Sequence, residues 1–279
     1  MLDSILSHLT AAPWRDTIQY FDTITSTNDV LKELAAQGAP EGTTLVAGCQ
    51  TGGRGRLGRT FLSPPETGIY MSVLLRPNCS PLELMHLTCA AGSAACDAIQ
   101  AAAAIRPRVK WTNDIVYEKR KLAGILTEMG LGKDGNISYA IIGIGINCNQ
   151  SPADFPPEIQ EVAGSLKMAS GKPVDRALVA ASMTDAFYEM NTRLLTQKEA
   201  LLAGYRKDCI TIGQTVSVVR NDSVRHGLAL DIDPEGALVV QYTDGTVEHV
   251  NSGEVSVRGL YGYCLLYTSP SPRDKRQSR

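Results

Sequence analysis

The sequence of 279 residues lacks the features that mark several large classes of protein. No apolar run approaches the roughly 18 residues that a membrane-crossing helix needs, and the N-terminus does not lead from a cationic segment into an apolar one, as a secretory signal does. Seven cysteines are scattered without a C-x-x-C pair, which argues against a zinc site and a disulfide framework. We therefore expect a cytoplasmic protein with reduced thiols that spans no membrane.

Net charge and aromatic side chains are also scarce. The formal charge is −2 and aromatic residues make up 6% of the chain, so no whole-protein field attracts a polyanion and any phosphate site must be local. The four histidines lie away from the motifs described below, and no Ser-His-Asp or Cys-His arrangement can be argued. The expected chemistry is positioning and charge neutralisation, without a covalent enzyme intermediate.

The apolar patterns predict an α/β (α+β) fold in which helices pack on a sheet and a small C-terminal β-barrel follows. Strands are predicted at residues 17–24, 43–49, 68–75, 108–111, 115–117, 122–129 and 137–146. The last of these is nearly unbroken in its apolar character, which predicts a central position. Helices are predicted at residues 3–10, 27–38, 81–104, 174–195 and 198–207. The expected units are a larger α/β domain at 1–208, the barrel at 209–263, and a disordered, non-native tail at 264–279.

The most informative stretch is Gln50–Arg59, here called the Gly/Arg loop, which holds four glycines and three arginines. Glycine disfavours helix interiors, whereas free backbone N–H groups and guanidinium groups can surround an anion. The loop follows a predicted strand, at the end where open α/β sheets bind ligands. We expect it to become ordered when an anion binds. The alternatives are a solvated basic loop and an RNA contact.

Further motifs contain hydroxyl, carboxylate, lysine and glycine residues that could contact a ligand. Ser26 and Thr27 can cap a helix or hold a small polar ligand. Asp114 follows a strand and can hold a magnesium-bound phosphate or form an Asx turn. Lys121 can serve as a point charge on a carboxylate or phosphate, or lie in a solvated hairpin turn. The glycines of the segment Gly143–Asn147 can line a pocket floor or permit tight strand packing.

In chain order, these motifs resemble those of the biotin protein ligases. The matching segments are STN at 26–28, QTGGRGRLGR at 50–59, KWTND at 110–114, RKLAGI at 120–125 and GIGIN at 143–147. The resemblance covers about residues 15–263, with SGEVSVR at 252–258 in the barrel. It implies that biotin attacks the α-phosphorus of Mg·ATP to give biotinyl-5′-adenylate and pyrophosphate. A lysine on the biotin carboxyl carrier domain of acetyl-CoA carboxylase, or of a related carboxylase, then accepts the biotin.

The resemblance also implies that the unit at 1–208 is a biotin- and ATP-binding catalytic domain with a mixed sheet, followed by the small β-barrel. It further implies roles for individual residues. The implied catalytic residues are Arg56, Lys121 and Asp114, of which Asp114 would help to hold Mg²⁺. The implied biotin-binding residues are Ser26, Thr27, Asn28, Gln50, Arg54, Gly55, Arg56, Lys121 and Gly124. The implied nucleotide-binding residues are Arg54, Arg56, Arg59, Asn113 and Asn147. The chain departs from the family pattern at Thr112, where proline is usual, and at Phe61, where tryptophan is common.

The resemblance and the composition also bear on the partners and on the competing functions. The segment before the first predicted strand is too short for a helix-turn-helix domain, so we expect no DNA binding; the sequence leaves open whether the chain forms a homodimer. The nearest alternative is a lipoate ligase-like acyl transferase with the same adenylation logic, which the arginine-rich loop disfavours. A non-enzymatic RNA-binding module is disfavoured by the negative charge and the few aromatic residues.

Overall fold

A computed structural model describes residues 1–10, 12–220, 223–251 and 254–257. The helices are α1 (Leu2–His8), α2 (Thr27–Ala36), α3 (Leu87–Ala103), α4 (Leu166–Ser170), α5 (Arg176–Arg193) and α6 (Lys198–Asp208). The strands are β1 (Ile18–Phe21), β2 (Thr44–Ala47), β3 (Gly68–Leu75), β4 (Arg108–Lys110), β5 (Asp114–Tyr117), β6 (Arg120–Leu131), β7 (Ile137–Asn147), β8 (Thr215–Arg220), β9 (Ser223–Ile232), β10 (Leu238–Tyr242), β11 (Val247–Val250) and β12 (Glu254–Val257).

The larger sheet has seven strands in the order β1-β2-β3-β7-β6-β5-β4. β1 and β2 run parallel, whereas the other neighbouring strands are antiparallel, which confirms the predicted mixed sheet. β7 is the middle strand, as its unbroken apolar pattern predicted. Its pairing with β3 and β6 places Ile144 opposite both Met71 and Ile125.

Helices cover both faces of this sheet. On one face, α3 packs against α5 and α6, and the small side chains along α3 allow close approach. On the other face, α2 contributes Leu31 and Ala35 to a smaller cluster with Leu45, Leu74 and Ile141. Because side chains alternate along a strand, β2, β3 and β7 each supply side chains to both cores. This arrangement holds the N-terminus of α2 directly against the sheet.

The second sheet is antiparallel, with its five strands in the order β11-β10-β9-β8-β12. Its buried side chains join the main apolar core, and the Trp111 indole N–H donates to the Gly236 carbonyl at 3.0 Å. α6 ends at Asp208, next to the predicted boundary; the division into domains stays a prediction. Residues 258–263 and the tail at 264–279 lie outside the described residues.

Several predicted element boundaries were wrong. The strand predicted at 17–24 is shorter because residues Ala12–Thr17 form a 3-10 turn. The helix predicted at 81–104 is divided, with a 3-10 turn at Leu82–Leu84 before α3 begins. α5 begins at Arg176 because the Asp175 carboxylate accepts hydrogen bonds from the first backbone N–H groups.

Throughout the described ranges, helices are too short or too polar to cross a bilayer, and the cysteines are free thiols.

Candidate active site

The first cleft lies where the N-terminus of α2 meets β6 and β7. It encloses about 330 Å³, part of it open to solvent. Its lining consists of Ser26, Thr27, Asn28, Gln50, Arg54, Phe61, Gly124, Leu126, Gly143, Ile144 and Gly145. The fold thus brings most of the predicted biotin-binding residues to one place, over the glycines that were expected to form a pocket floor.

Hydrogen bonds fix the polar end of the first cleft. Ser26 is the N-cap of α2, as predicted, and its hydroxyl accepts from the Asp29 backbone N–H at 3.4 Å. Gln50 Oε1 accepts from the Thr27 backbone N–H at 2.8 Å, and Gln50 Nε2 donates to Ser63 Oγ at 3.1 Å. Both ends of the Gln50 amide are therefore engaged, so it is held in one orientation.

Asn28, which is 5% exposed, is fixed by two residues that the sequence analysis missed. Ser72 Oγ donates to Asn28 Oδ1 at 2.6 Å, and Asn28 Nδ2 donates to Glu128 Oε2 at 2.8 Å. Both had a signal in the sequence. Ser72 is a hydroxyl in the fully buried strand β3, and Glu128 is a charge on the same side of β6 as the cleft residue Gly124.

The two floor glycines are required by what lies on them. A Cβ atom at position 143 would stand 2.0 Å from Asn28 Oδ1, and one at position 145 would stand 2.4 Å from Phe61 Cε1. Both distances are shorter than any normal contact. The Phe61 ring is also packed edge-on against Tyr70, with 6.3 Å between ring centroids. Phe61 therefore forms a wall of the cleft. The sequence analysis noted it only as a position where tryptophan is common in the family.

A cationic group of side chains lies beside Gly124. Lys121 Nζ is 2.6 Å from Asp114 Oδ1. An irregularity in the pairing of β5 and β6 lies between these residues, and such a bulge redirects a side chain. Burial lowers the pKa of Lys110, Asp114 opposes this, and the positive charges of Lys121 and Arg59 lower it further. One carboxylate among several cations is an arrangement that can receive an anion.

The Gly/Arg loop is attached on two sides of this region. Arg54 forms ion pairs with Asp29 on α2 and, at 3.3 Å, with Glu128 on β6. Arg56 Nη1 donates to Asn113 Oδ1 at 3.0 Å. Within the loop, the Gly55 backbone N–H donates to the Arg59 carbonyl at 2.7 Å, which brings the two ends of the segment 55–59 together. Ordering of the loop on ligand binding stays a prediction.

A second cleft of about 660 Å³ lies between the main sheet and the C-terminal sheet. Its lining consists of Arg56, Met85, Thr88, Cys89, Thr112, Ile125, Leu126, Thr127, Glu235, Gly236, Ala237 and Asn251. The predicted residues Gly55, Arg59, Asn113, Asp114, Lys121 and Asn147 stand outside the lining of both clefts. Asn147 is buried, and its amide donates to the Gly164 carbonyl at 2.9 Å.

Comparison with known proteins now decides the family. Residues 20–147 match the Biotin/lipoate A/B protein ligase family, and residues 211–258 match the Biotin protein ligase C terminal domain. The bifunctional ligase/repressor BirA of Bacillus subtilis is 37% identical over 242 residues, which cover 85% of this chain and 73% of that protein. The biotin–[acetyl-CoA-carboxylase] ligase of Mycobacterium tuberculosis is 33% identical over 241 residues, which cover 82% of this chain and 85% of that protein.

The chain belongs to the biotin protein ligase family. A solved biotin protein ligase from Aquifex aeolicus, in complex with biotin and ATP, superimposes on this ligase with a TM-score of 0.72 at 29% identity, covering 87% of this chain and 98% of that one. The Leishmania major ligase in complex with biotinyl-5-AMP gives a TM-score of 0.58 at 25% identity, covering 85% and 99%. The predicted fold class and enzyme class are thereby confirmed, whereas the roles of individual residues stay predictions.

Proposed function

We propose that this ligase condenses biotin with ATP to form biotinyl-5′-adenylate, and then transfers biotin to a lysine of a carboxylase carrier domain. The observation that carries the proposal is the convergence of the polar N-terminus of α2, the glycine floor of β7 and the Gly/Arg loop on the first cleft. The complexes of related ligases with biotin, ATP and biotinyl-5-AMP support the same ligands here.

Biotin fits the first cleft by its chemistry. The amides and hydroxyls of Thr27, Asn28 and Gln50 offer hydrogen bonds to a polar head group, while Phe61 and the floor glycines offer a flat apolar surface. The carboxylate end would then lie near Gly124, where Lys121 provides a positive charge. Fixed polar groups at one end and a cation at the other define the direction in which the substrate binds.

Charge neutralisation is the main task of the first chemical step. A carboxylate oxygen of biotin attacks the α-phosphorus of ATP, the bond to the bridging oxygen breaks, and pyrophosphate leaves. Both reactants are anions, so the positive charges of Lys121, Lys110 and Arg56 would offset their repulsion and stabilise the charge on the transferring phosphorus. Arg56, which reaches from the Gly/Arg loop to Asn113, would also help to exclude water from the reactive anhydride.

Mg²⁺ fits the residues beside Lys121. Magnesium is usually held by one or two carboxylates together with substrate phosphates. Asp114 supplies one half-buried carboxylate, and within the described ranges no cluster of three or more histidine, cysteine or acidic side chains could form a closed metal cage. When bound, Mg²⁺ would neutralise phosphate charge. Asp114 is the residue that would hold it.

In the second step, a neutral lysine ε-amine of the carrier attacks the acyl carbon of the adenylate, and AMP leaves with the phosphate oxygen. The natural first acceptor to test is the carrier domain of acetyl-CoA carboxylase, because the Mycobacterium tuberculosis relative bears that substrate in its name. Action in the cytoplasm, where the scattered cysteines would stay reduced, forms part of the proposal.

Lipoate is the competing substrate, since one matching family includes lipoate ligases. The match of residues 211–258 to the biotin protein ligase C-terminal domain favours biotin. The deciding experiment incubates the protein with a carrier domain, ATP and either acid, and measures the mass of the carrier. A mass increase of one biotinyl group with biotin alone is expected. A lipoyl adduct, or pyrophosphate exchange driven by lipoate in preference to biotin, would refute the assignment.

A further inference from the structure

Glu128 places one carboxylate between the first cleft and the Gly/Arg loop. Its side chain is 22% exposed and points to the α2 side of β6. Oε2 accepts from Asn28 Nδ2 at 2.8 Å, whereas Oε1 accepts from Lys32 Nζ at 3.0 Å and from Arg54 Nη2 at 3.3 Å. The two oxygens of a single side chain therefore contact a wall of the cleft and the loop that crosses it.

On the cleft side, Glu128 fixes the orientation of the Asn28 amide. An ionised carboxylate only accepts hydrogen bonds, so Nδ2 must face Glu128. The Leu126 carbonyl, which accepts from Nδ2 at 3.3 Å, favours the same orientation. Oδ1 is consequently directed to the Ser72 hydroxyl, which donates to it at 2.6 Å. Without the carboxylate, the amide loses its charge-assisted bond, which is the strongest reason for its orientation.

On the loop side, Glu128 belongs to a ring of two acidic and two basic side chains. Arg54 and Lys32 each contact both Asp29 and Glu128. Although burial acts to raise the pKa of Asp29, hydrogen bonding and positive charge from Lys32 and Arg54 outweigh it and lower that pKa. Of the four, Arg54 alone comes from the Gly/Arg loop, so its pairs join the loop to α2 and β6.

We propose that Glu128 is a positioning residue that couples recognition of the cleft ligand to closure of the Gly/Arg loop. Oε2 holds Asn28 ready for the ligand, and Oε1 holds Arg54 so that the loop stays across the cleft. The identity of the ligand as biotin rests on the proposed function. The attachment of the loop does not, and it can be measured in the protein without ligands.

Three substitutions separate the two contacts. In Glu128→Gln, the amide oxygen can still accept from Asn28, but the amide N–H₂ group faces Lys32 and Arg54 and the loop contact is lost. Asp29→Asn weakens the loop contact and leaves Asn28 bound to Glu128. Glu128→Ala removes both contacts. Lys32→Gln is the matched control, because Lys32 belongs to the same ring and its ion pairs are with Asp29 on α2 and Glu128 on β6.

Loop closure is read from limited trypsin digestion of the ligand-free protein, with cleavage after Arg56 and Arg59 followed by mass spectrometry. Cleavage in a segment that opens reversibly reports the population of its open form. Half-exposed ion pairs are weak, so we expect cleavage about three- to fivefold faster in Glu128→Gln and Asp29→Asn. Lys32→Gln should change it by less than about twofold.

Recognition is read from biotin KM and from the release rate of preformed biotinyl-adenylate. Glu128→Ala should raise KM about tenfold or more, because the lost hydrogen bond is to a charged group. Glu128→Gln should keep KM within about twofold of the wild type and release the adenylate about three- to fivefold faster. A melting curve for each variant confirms that it is folded.

The outcomes are separable. If Glu128→Gln and Asp29→Asn leave both cleavage and adenylate release unchanged, the loop contact has no function and the proposal is overturned. It is also overturned if Glu128→Ala binds biotin normally, or if Lys32→Gln matches Asp29→Asn, since that would show a general effect on α2. If the wild type makes no biotinyl-adenylate, the proposed function fails, while the trypsin experiment still tests the attachment of the loop.

Discussion

Adding one methyl group at Gly145 should disrupt biotin binding through the Phe61 ring. A Cβ at this position would lie 2.4 Å from Phe61 Cε1 and 2.8 Å from both Cδ1 and Cζ, so the ring must move. Its edge-on packing against Tyr70 closes one direction, whereas the cleft that the ring lines offers it space. In Gly145→Ala, the displaced ring should therefore occupy space that the ligand needs.

The expected size follows from the cost of overpacking. Inserting a methyl group into a packed site costs about 1–3 kcal/mol, which corresponds to about a 5- to 150-fold rise in Kd. Isothermal titration calorimetry with biotin gives this value directly. The loss should be smaller in a Phe61→Ala background, because the ring that transmits the clash has been removed.

Gly130→Ala is the matched control, since Gly130 lies on β6 and a Cβ there would stand 2.3 Å from the Tyr139 ring, away from the first cleft. It should lower the melting temperature through the same kind of clash and leave the biotin Kd unchanged. The reasoning would be refuted if Gly145→Ala bound biotin like the wild type. It would also be refuted if the two glycine variants weakened binding equally, or if the loss persisted in full without Phe61.

Three further predictions concern the cationic side chains. Arg56→Ala should release biotinyl-adenylate about 10- to 100-fold faster, because each lost charge-assisted hydrogen bond is worth about 1.5–3 kcal/mol; a filter-binding assay measures the rate, and an unchanged rate would contradict the role. Lys121→Ala should slow pyrophosphate exchange strongly while its half-exposed pair with Asp114 changes stability by about 1 kcal/mol or less; a large fall in melting temperature with normal exchange would instead show a structural lysine. Lys110 has a pKa lowered by burial, so the folded state loses its proton before the unfolded state, and stability relative to Lys110→Met should rise as the pH increases from 7 towards about 10. Urea unfolding of both proteins measures this difference, and a difference that stays constant with pH would contradict it.

The sequence predicted those parts of the site that are local in the chain. The cap at Ser26, the glycine floor of β7 and the cations of the Gly/Arg loop each show their chemistry within a few residues, and the structure places them around the expected region. Ser72 and Glu128 were missed because their roles depend on Asn28, which is 44 and 100 residues away in the chain. Each residue is marked locally only as a polar side chain in an apolar strand, and the pairing of distant strands with α2 is needed to reveal what it contacts.

Strand β6 lies between the two clefts, and the Gly/Arg loop contacts both of them. Gly124 lies at the first cleft, whereas Ile125 and Thr127 line the second, as expected from successive side chains that point to opposite faces of a strand; Leu126 borders both clefts. Arg54 and Arg56, two residues apart on the Gly/Arg loop, follow the same division: Arg54 contacts Glu128, and Arg56 lines the second cleft. Of the two glycines that flank Arg54, Gly53 is required by a close approach, because a Cβ atom there would stand 2.3 Å from the Phe61 carbonyl oxygen.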